Sequence, residues 1–264
     1  MQSVWFAHVS DPHLPYGLEA LKTAFSLIMK QKPRPSFVVI TGDLTTEARW
    51  DALKALLETS KIKVYLVRGN HDAQVDPEGH SFLHILGYER YYSFEVSGYQ
   101  FLVLDSSCVD THEGVIDVEQ KRWLTAEMKQ NPPDTPHYVF MHHPVLDDPI
   151  MSRTQIPELY LNQADARVLL RLSKVHNLQA VFTGHIHRNS VLTQGNLTQI
   201  SIASVSKEYP NYARTQYLHD TYGPNYVWYK YLSWLNMRGQ PSCFSFINID
   251  QEGVRVMWHY VSTE

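Results

Sequence analysis

Cysteine is scarce in this chain: Cys108 and Cys243 are the only two in 264 residues. Two thiols make no disulfide framework, which removes the class of small stapled secreted domains and fits a reducing compartment. An excess of positive charge is also missing. With 23 Lys and Arg against 27 Asp and Glu, the formal net charge is -4. Duplex nucleic acid, bound chiefly through clustered Lys and Arg, is therefore not an expected partner. No uninterrupted apolar run reaches the ~20 residues needed to span a bilayer, so no membrane partner is expected. The opening residues, MQSVWFAHVSDP, lack the basic start and apolar stretch of a secretion signal, and the chain reads as cytoplasmic. Nor is there an internal repeat, a low-complexity tract or a dividing linker. Residues 1–264 are expected to form one domain.

Histidine is plentiful instead, with 14 in the chain. His80, His84, His112, His137, His176, His219 and His259 stand apart from any motif and are expected as ordinary surface or half-buried residues. Most of the others sit where apolar runs stop. Ser3 to Val9 reads as a buried strand followed by Asp11-Pro12-His13. Leu18, Leu21, Phe25 and Ile28 recur at helical spacing. Phe37 to Ile40 is a β-branched run ending in Thr41-Gly42-Asp43, and Trp50, Leu53, Leu56 and Leu57 mark a second helix. Val64 to Val67 leads into Arg68-Gly69-Asn70-His71-Asp72. Tyr91–Val96 and Gln100–Leu104 flank Ser97-Gly98 as a hairpin, and Glu119–Lys129 reads as a helix. Tyr138–Met141 ends in His142-His143-Pro144, Ala164–Val175 is helical, and Ala180–Phe182 ends in Thr183-Gly184-His185-Ile186-His187. Four short strands follow, at 190–193, 199–203, 244–249 and 254–259. Alternating strands and helices predict parallel pairing in the first half, and the late hairpin-like strands predict a second sheet packed on the first.

Ligands of open α/β sheets bind beyond the carboxyl ends of the strands. Five strands here end in polar blocks: Asp11/His13, Asp43, Asn70/His71, His142/His143 and His185/His187. Two carboxylates, a carboxamide and several imidazoles offer oxygen and nitrogen donors without thiolate, a set suited to Mn, Fe, Co, Ni or Zn rather than Cu(I). The two-residue spacing within Asp11/His13 and His185/His187 turns each pair to one side of an extended backbone. Gly42, Gly69 and Gly184 precede the ligand blocks, where a sharp turn or close approach is needed.

These blocks, D-x-H, G-D, G-N-H-D, H and G-H-x-H in that order over about Ser3 to Ala203, resemble the calcineurin-like metallophosphoesterase superfamily. Within it the chain is most similar to the class III cyclic nucleotide phosphodiesterases and the glycerophosphodiesterases. Leu104-Asp105-Ser106-Ser107, the segment EGVIDVEQKRWL at Glu113–Leu124, and Met141-His142-His143-Pro144 carry that finer likeness. The resemblance implies an α/β fold, a four-layer α/β/β/α sandwich of two mixed sheets flanked by helices. It also implies a dinuclear site: Asp11, His13 and His187 on one ion, Asn70, His142 and His185 on the other, and Asp43 bridging both. Mn or Fe is the favoured metal, with Co and Zn as alternatives. Thr46 stands where the purple acid phosphatase branch has tyrosine, so a purple iron centre is not implied.

Two cations ~3.5–4 Å apart lower the pKa of a shared water and clamp the attacking and leaving oxygens. The expected chemistry is attack of a metal-bound hydroxide on phosphorus, with no covalent enzyme intermediate. His71, with Asp72 orienting it, is the expected catalytic group, stabilising the transition state or protonating the departing alkoxide. Asn70, His71, His143 and Arg188 are the expected substrate contacts. The expected substrate is a small phosphodiester, with a 3',5'-cyclic nucleotide favoured. A glycerophosphodiesterase or broad-specificity phosphoesterase is the alternative, and a non-catalytic scaffold on the same fold the third reading. The stretch 206–240, rich in Tyr and Trp, reads as an insertion: a packed surface, a cap at the substrate mouth, or a contact in a homodimer or higher homo-oligomer. An all-nitrogen-and-oxygen donor set predicts activity that chelators abolish and Mn or Co restores. Full hydrolysis by protein shown to be metal-free by elemental analysis would contradict it.

Overall fold

The structure, a computed structural model, describes residues 2–132, 134–149, 157–206 and 242–261. Apart from Ser206, the aromatic-rich stretch at 206–240 lies outside the described residues.

The first sheet begins with β1 (Val4–Val9), β2 (Phe37–Thr41) and β3 (Lys63–Val67), paired in parallel. Helices α1 (Leu18–Lys30) and α2 (Trp50–Thr59) make the crossovers. A six-residue helix α3 (Asn70–Val75) starts at once after β3, and α4 (His80–His84) follows it. The second sheet opens with the hairpin of β4 (Tyr92–Val96) and β5 (Tyr99–Val103). It continues through α5 (Val118–Gln130), β6 (His137–Phe140), α6 (Gln163–Val175) and β7 (Leu178–Thr183). The hairpin of β8 (Ser190–Gln194) and β9 (Leu197–Ser201) completes it, in the order β4-β5-β6-β7-β9-β8. The last two strands, β10 (Cys243–Asp250) and β11 (Gly253–Tyr260), do not extend this sheet. They return to the first, giving the order β11-β10-β1-β2-β3 with β10 antiparallel to β1. The second sheet therefore begins at β4, earlier than the late strands from which it was expected.

Strict alternation places the strands between layers. Phe37 and Val39 of β2 face the second sheet, whereas Val38 and Ile40 face the helical layer with Leu21, Phe25 and Leu53. On the other side Phe101 and Val103 face inward, and Leu102 packs outward with Leu124, Leu169 and Leu172 of α5 and α6. Both faces of the central strands β1, β2, β6 and β7 are largely buried, which is why these strands read as apolar runs, whereas β4, β8 and β11 at the edges are partly exposed. The architecture is thus helices, sheet, sheet, helices, as expected. Asp117 and Asn162 cap α5 and α6, each side chain accepting the backbone N–H three residues on. Among the described residues, no helix is long and apolar enough to cross a membrane.

Phe6 holds the two sheets together. Its ring stacks on Phe37 at 4.6 Å in its own sheet and meets Phe101, Phe140 and Phe182 of the other edge-on, at 5.9, 5.6 and 5.4 Å. Offset and edge-to-face geometry favours such pairs beyond the area they bury. Because β1, β6 and β7 each end in a polar block, this contact also sets the distance between strand ends of opposite sheets. Phe6→Ala is predicted to cost about 3–5 kcal/mol, read as a lower urea midpoint. A shift no larger than that of Val191→Ala, at a half-exposed position, would contradict the assignment.

Candidate metal centre

Each strand ends just before its polar block, and the backbone there leaves ordinary conformations. Among the described residues, eight non-glycine residues have positive φ, and Asp11, His13, Asp43, His185 and His187 are five of them. Such conformations are costly for residues with a Cβ and persist where surrounding structure enforces them, often at functional sites. Gly42, at φ 89°, solves a second problem, since a Cβ there would lie 2.5 Å from His142 Nδ1. A Cβ on Gly184 would overlap Ser10 Oγ and Asp11 Oδ2.

These turns bring residues from both sheets to one buried rim. Three groups of donor atoms, each with all members within 4.8 Å of one another, lie there: Asp11/His13/His187, His13/Asp43/His71 and Asp43/His142/His185. They share members, so they form one chain of donors. At one end, His187 Nε2 is 3.1 Å from Asp11 Oδ1 and 3.1 Å from His13 Nε2. At the other, His142 Nε2 is 3.2 Å from His185 Nδ1, 3.1 Å from Asn70 Oδ1 and 3.3 Å from Asp43 Oδ1. Asp43 stands between them: Oδ1 faces His142, and Oδ2 lies 3.8 Å from His13 Nε2 and 3.9 Å from His71 Nε2. All seven residues expected from the sequence as metal ligands thus meet in one place.

Hydrogen bonds behind the rim decide what these atoms can do. His142 Nδ1 lies 2.7 Å from the Thr41 carbonyl and His185 Nε2 lies 2.8 Å from that of Glu158. A carbonyl can only accept, so each ring donates there and turns its other nitrogen forward as a lone pair. Two imidazole lone pairs, an amide oxygen and a carboxylate oxygen then converge with nothing positive between them. Electron pairs packed this closely repel unless a cation or proton is shared among them. The protonation pattern says the same. Burial opposes charging His142, but the carboxylates of Asp43 and Asp11 outweigh it and raise its pKa to about 9. Burial lowers His13 and His185 to about 3, so both stay neutral donors. Burial would raise Asp11, but His187 and then His142 hold it at about 2. The same two opposing influences leave Asp43 well below the usual carboxylate range, with His142 and His71 responsible. Ionised carboxylates, neutral imidazoles at His13 and His185, and a His142 proton that a cation can displace make a donor set that fits a pair of cations.

Asp72, His143 and Arg188 are engaged otherwise than expected. Asp72 was expected to orient His71. Its buried carboxylate instead accepts the backbone N–H groups of Gly69, Leu44 and Thr45, at 2.9, 3.1 and 2.9 Å. It ties the start of α3 to the loop carrying Asp43. Burial and the nearby Asp43 charge raise its pKa to about 7, against the pull of those three donors. His71 donates its backbone N–H to Asp43 Oδ1 at 2.9 Å, and its ring Nε2, in the middle donor group, lies 3.9 Å from Asp43 Oδ2. His143, expected at the substrate, is fully buried: Nδ1 meets Ser106 Oγ at 2.9 Å and Nε2 the His112 carbonyl at 3.0 Å. Its ring packs against those of His142 and His185, with centroids at 5.0 and 4.4 Å. Arg188 lies 3.3 Å from the buried Asp148 carboxylate, which compensates its charge.

Two histidines outside the blocks stand near the site: His8, and His112, which was expected as an ordinary surface or half-buried residue. His8, wholly buried, has its Nε2 2.8 Å from Thr41 Oγ1, and Thr41 bonds on to Ser10 beneath the rim. Its only sequence signal is a polar residue within an apolar strand. His112 places Nδ1 2.8 Å from the Asn70 side-chain nitrogen. It lies between the LDSS and EGVID segments, and nothing in its neighbours marks it.

Similarity to known proteins agrees with this geometry. A 3',5'-cyclic-nucleotide phosphodiesterase from Nostoc sp. is 24% identical over 222 residues, covering 79% of this chain and 81% of that protein. A human serine/threonine-protein phosphatase is 29% identical over 201 residues, covering 69% and 63%. The crystal structure of a dimetal phosphatase from Danio rerio superposes with a TM-score of 0.65 over 98% of this chain and 99% of that one, at 14% identity. Residues 4–189, most of the chain and every polar block on the rim, match the sequence profile of the calcineurin-like phosphoesterases. With that match, the two stacked sheets and the shared donor groups, the chain belongs to the calcineurin-like phosphoesterase family of metal-dependent hydrolases.

Proposed function

We propose that this protein is a dinuclear-metal phosphodiesterase and that its preferred substrate is a 3',5'-cyclic nucleotide. The observation that carries the two-metal reading is the placement of Asp43, one carboxylate with an oxygen toward each end of the donor chain. Asp11, His13 and His187 would hold one ion, Asn70, His142 and His185 the other, and Asp43 both. Bound there, two cations would supply Lewis-acid activation of water and a charge clamp on the phosphoryl oxygens.

The chain's own groups do the rest. Asn70 contributes a neutral oxygen, so the second position gains a donor without a further negative charge facing an anionic ester. His71 keeps an imidazole at the rim, where its Nε2 can give a proton to the departing alkoxide. Asp72, through its three backbone donors, fixes the height of His71 relative to Asp43. Asp148 balances Arg188, which leaves the cations as the main counter-charge to phosphate.

Preference for a cyclic diester is supported by the segments Leu104–Ser107 and Glu113–Leu124 and by similarity to the Nostoc phosphodiesterase. A monoester reading is favoured by similarity to the human phosphatase. A glycerophosphodiester substrate remains the alternative within diesterases. A scaffold without catalysis would be expected to have lost donors, whereas all seven are present and converge.

Two tests follow from these roles. Asp43→Asn should empty both metal positions, whereas His71→Ala should keep both ions and lower kcat ~10²–10⁴-fold. Elemental analysis after gel filtration decides this, and loss of an ion from His71→Ala would make His71 a ligand. For the substrate, kcat/KM should rank cyclic nucleotide above glycerophosphodiester, and an aryl diester above the monoester with the same leaving group. A monoester that outranks its diester would reverse the assignment.

A further inference from the structure

His112 has an engaged ring and an anchored backbone. Its Nδ1 lies 2.8 Å from Asn70 Nδ2, and the Gln74 side-chain nitrogen stands farther off, 3.5 Å from Nδ1 and 3.4 Å from Nε2. The Asn70 NH2 carries only donors, so at this shorter contact His112 Nδ1 accepts and the ring proton sits on Nε2, to which the Gln74 nitrogen then makes no hydrogen bond. The consequence falls on Asn70. A side-chain amide can present either its oxygen or its nitrogen to a neighbour, and only the oxygen can serve a cation. With Nδ2 committed to His112, Oδ1 faces His142 Nε2 at 3.1 Å.

Buried groups hold His112 in turn. Its carbonyl accepts His143 Nε2–H at 3.0 Å, Ser106 Oγ–H donates to His143 Nδ1 at 2.9 Å, and the His143 backbone N–H donates to Ser106 Oγ at 3.2 Å. His143 is fully buried. The chain passes it at Gly114, where a Cβ would lie 2.7 Å from the His143 side chain. The loop from Ser106 to Gly114 is therefore pinned to the residue that follows His142, and His112 reaches from it back to Asn70.

We infer that His112 is a positioning residue that holds the Asn70 amide with its oxygen toward the second metal position. This rests on the proposal that Asn70 donates to a metal, and it concerns ion occupancy at one position rather than the chemical step. Without His112, the amide can rotate and offer an N–H to the cation site.

The test is Mn²⁺ binding to the full chain, followed by calorimetry and by elemental analysis after a chelator challenge. His112→Ala should weaken the second Mn²⁺ by ~10–100-fold and leave the first unchanged. His112→Asn, whose Oδ1 takes the place of Nδ1, should restore it. His112→Gln, whose oxygen lies near the place of Nε2, should not. In an Asn70→Ala background, His112→Ala should add no further loss, because the two residues act as one unit. Additive losses, equal loss of both ions, or rescue by Gln as good as by Asn would overturn the role of His112. If Asn70→Ala weakens the second ion and His112→Ala does not, only the role of His112 falls. If Asn70→Ala leaves both ions bound as before, the metal reading of Asn70 falls, and this inference with it. Should His112→Ala fail to fold, the contrast between Asn and Gln decides alone.

Discussion

Asp43 stands at the seam between the two sheets, on a residue held at φ 50° just past the end of β2. One of its oxygens faces His142, which follows a strand of the second sheet, and the other faces His13, which follows a strand of the first. A carboxylate can serve both directions only if the two sheets keep their spacing. The aromatic contact around Phe6 therefore has a functional consequence as well as a stabilising one. The left-handed turns at Asp11, His13, Asp43, His185 and His187 serve the same end. They re-aim side chains at the sheet edge that extended backbone would send to alternate faces.

Collecting so many lone pairs in a buried rim is unfavourable in the folded protein itself. Thr41 and Glu158 fix the imidazole tautomers, so the rim cannot relieve the repulsion by reshuffling its own protons. The high pKa of His142 is the mark of that pressure, since a proton there partly replaces a cation. Ions that bind only the folded chain stabilise it by mass action. Metal affinity and fold stability should accordingly rise together in this protein.

Much of this was legible in the sequence because the signals were local. Apolar runs with helical patterns between them located the strands. The blocks Asp11-Pro12-His13, Asn70-His71-Asp72 and His185-Ile186-His187 marked where those strands stop. What could not be read depends on partners distant in sequence. Asp72 looks like a companion of its neighbour His71, yet its oxygens find the backbone of Leu44 and Thr45. His143 looks as available as His142, but both of its ring nitrogens are taken, by Ser106 and by the His112 carbonyl. His112 has no local pattern at all, and its role exists only because a loop between β5 and α5 folds back on α3. The return of β10 and β11 to the edge of β1 was equally hidden, because a hairpin pattern does not say which sheet it joins.

The central claim is that one carboxylate is shared by two metal positions. Anomalous diffraction at the manganese edge, from crystals equilibrated with Mn²⁺, tests it most directly. The account predicts two peaks ~3.5–4 Å apart, with one oxygen of Asp43 in reach of each, or a single oxygen of Asp43 between them. A single peak at full metal saturation, or two peaks of which Asp43 touches only one, would contradict it.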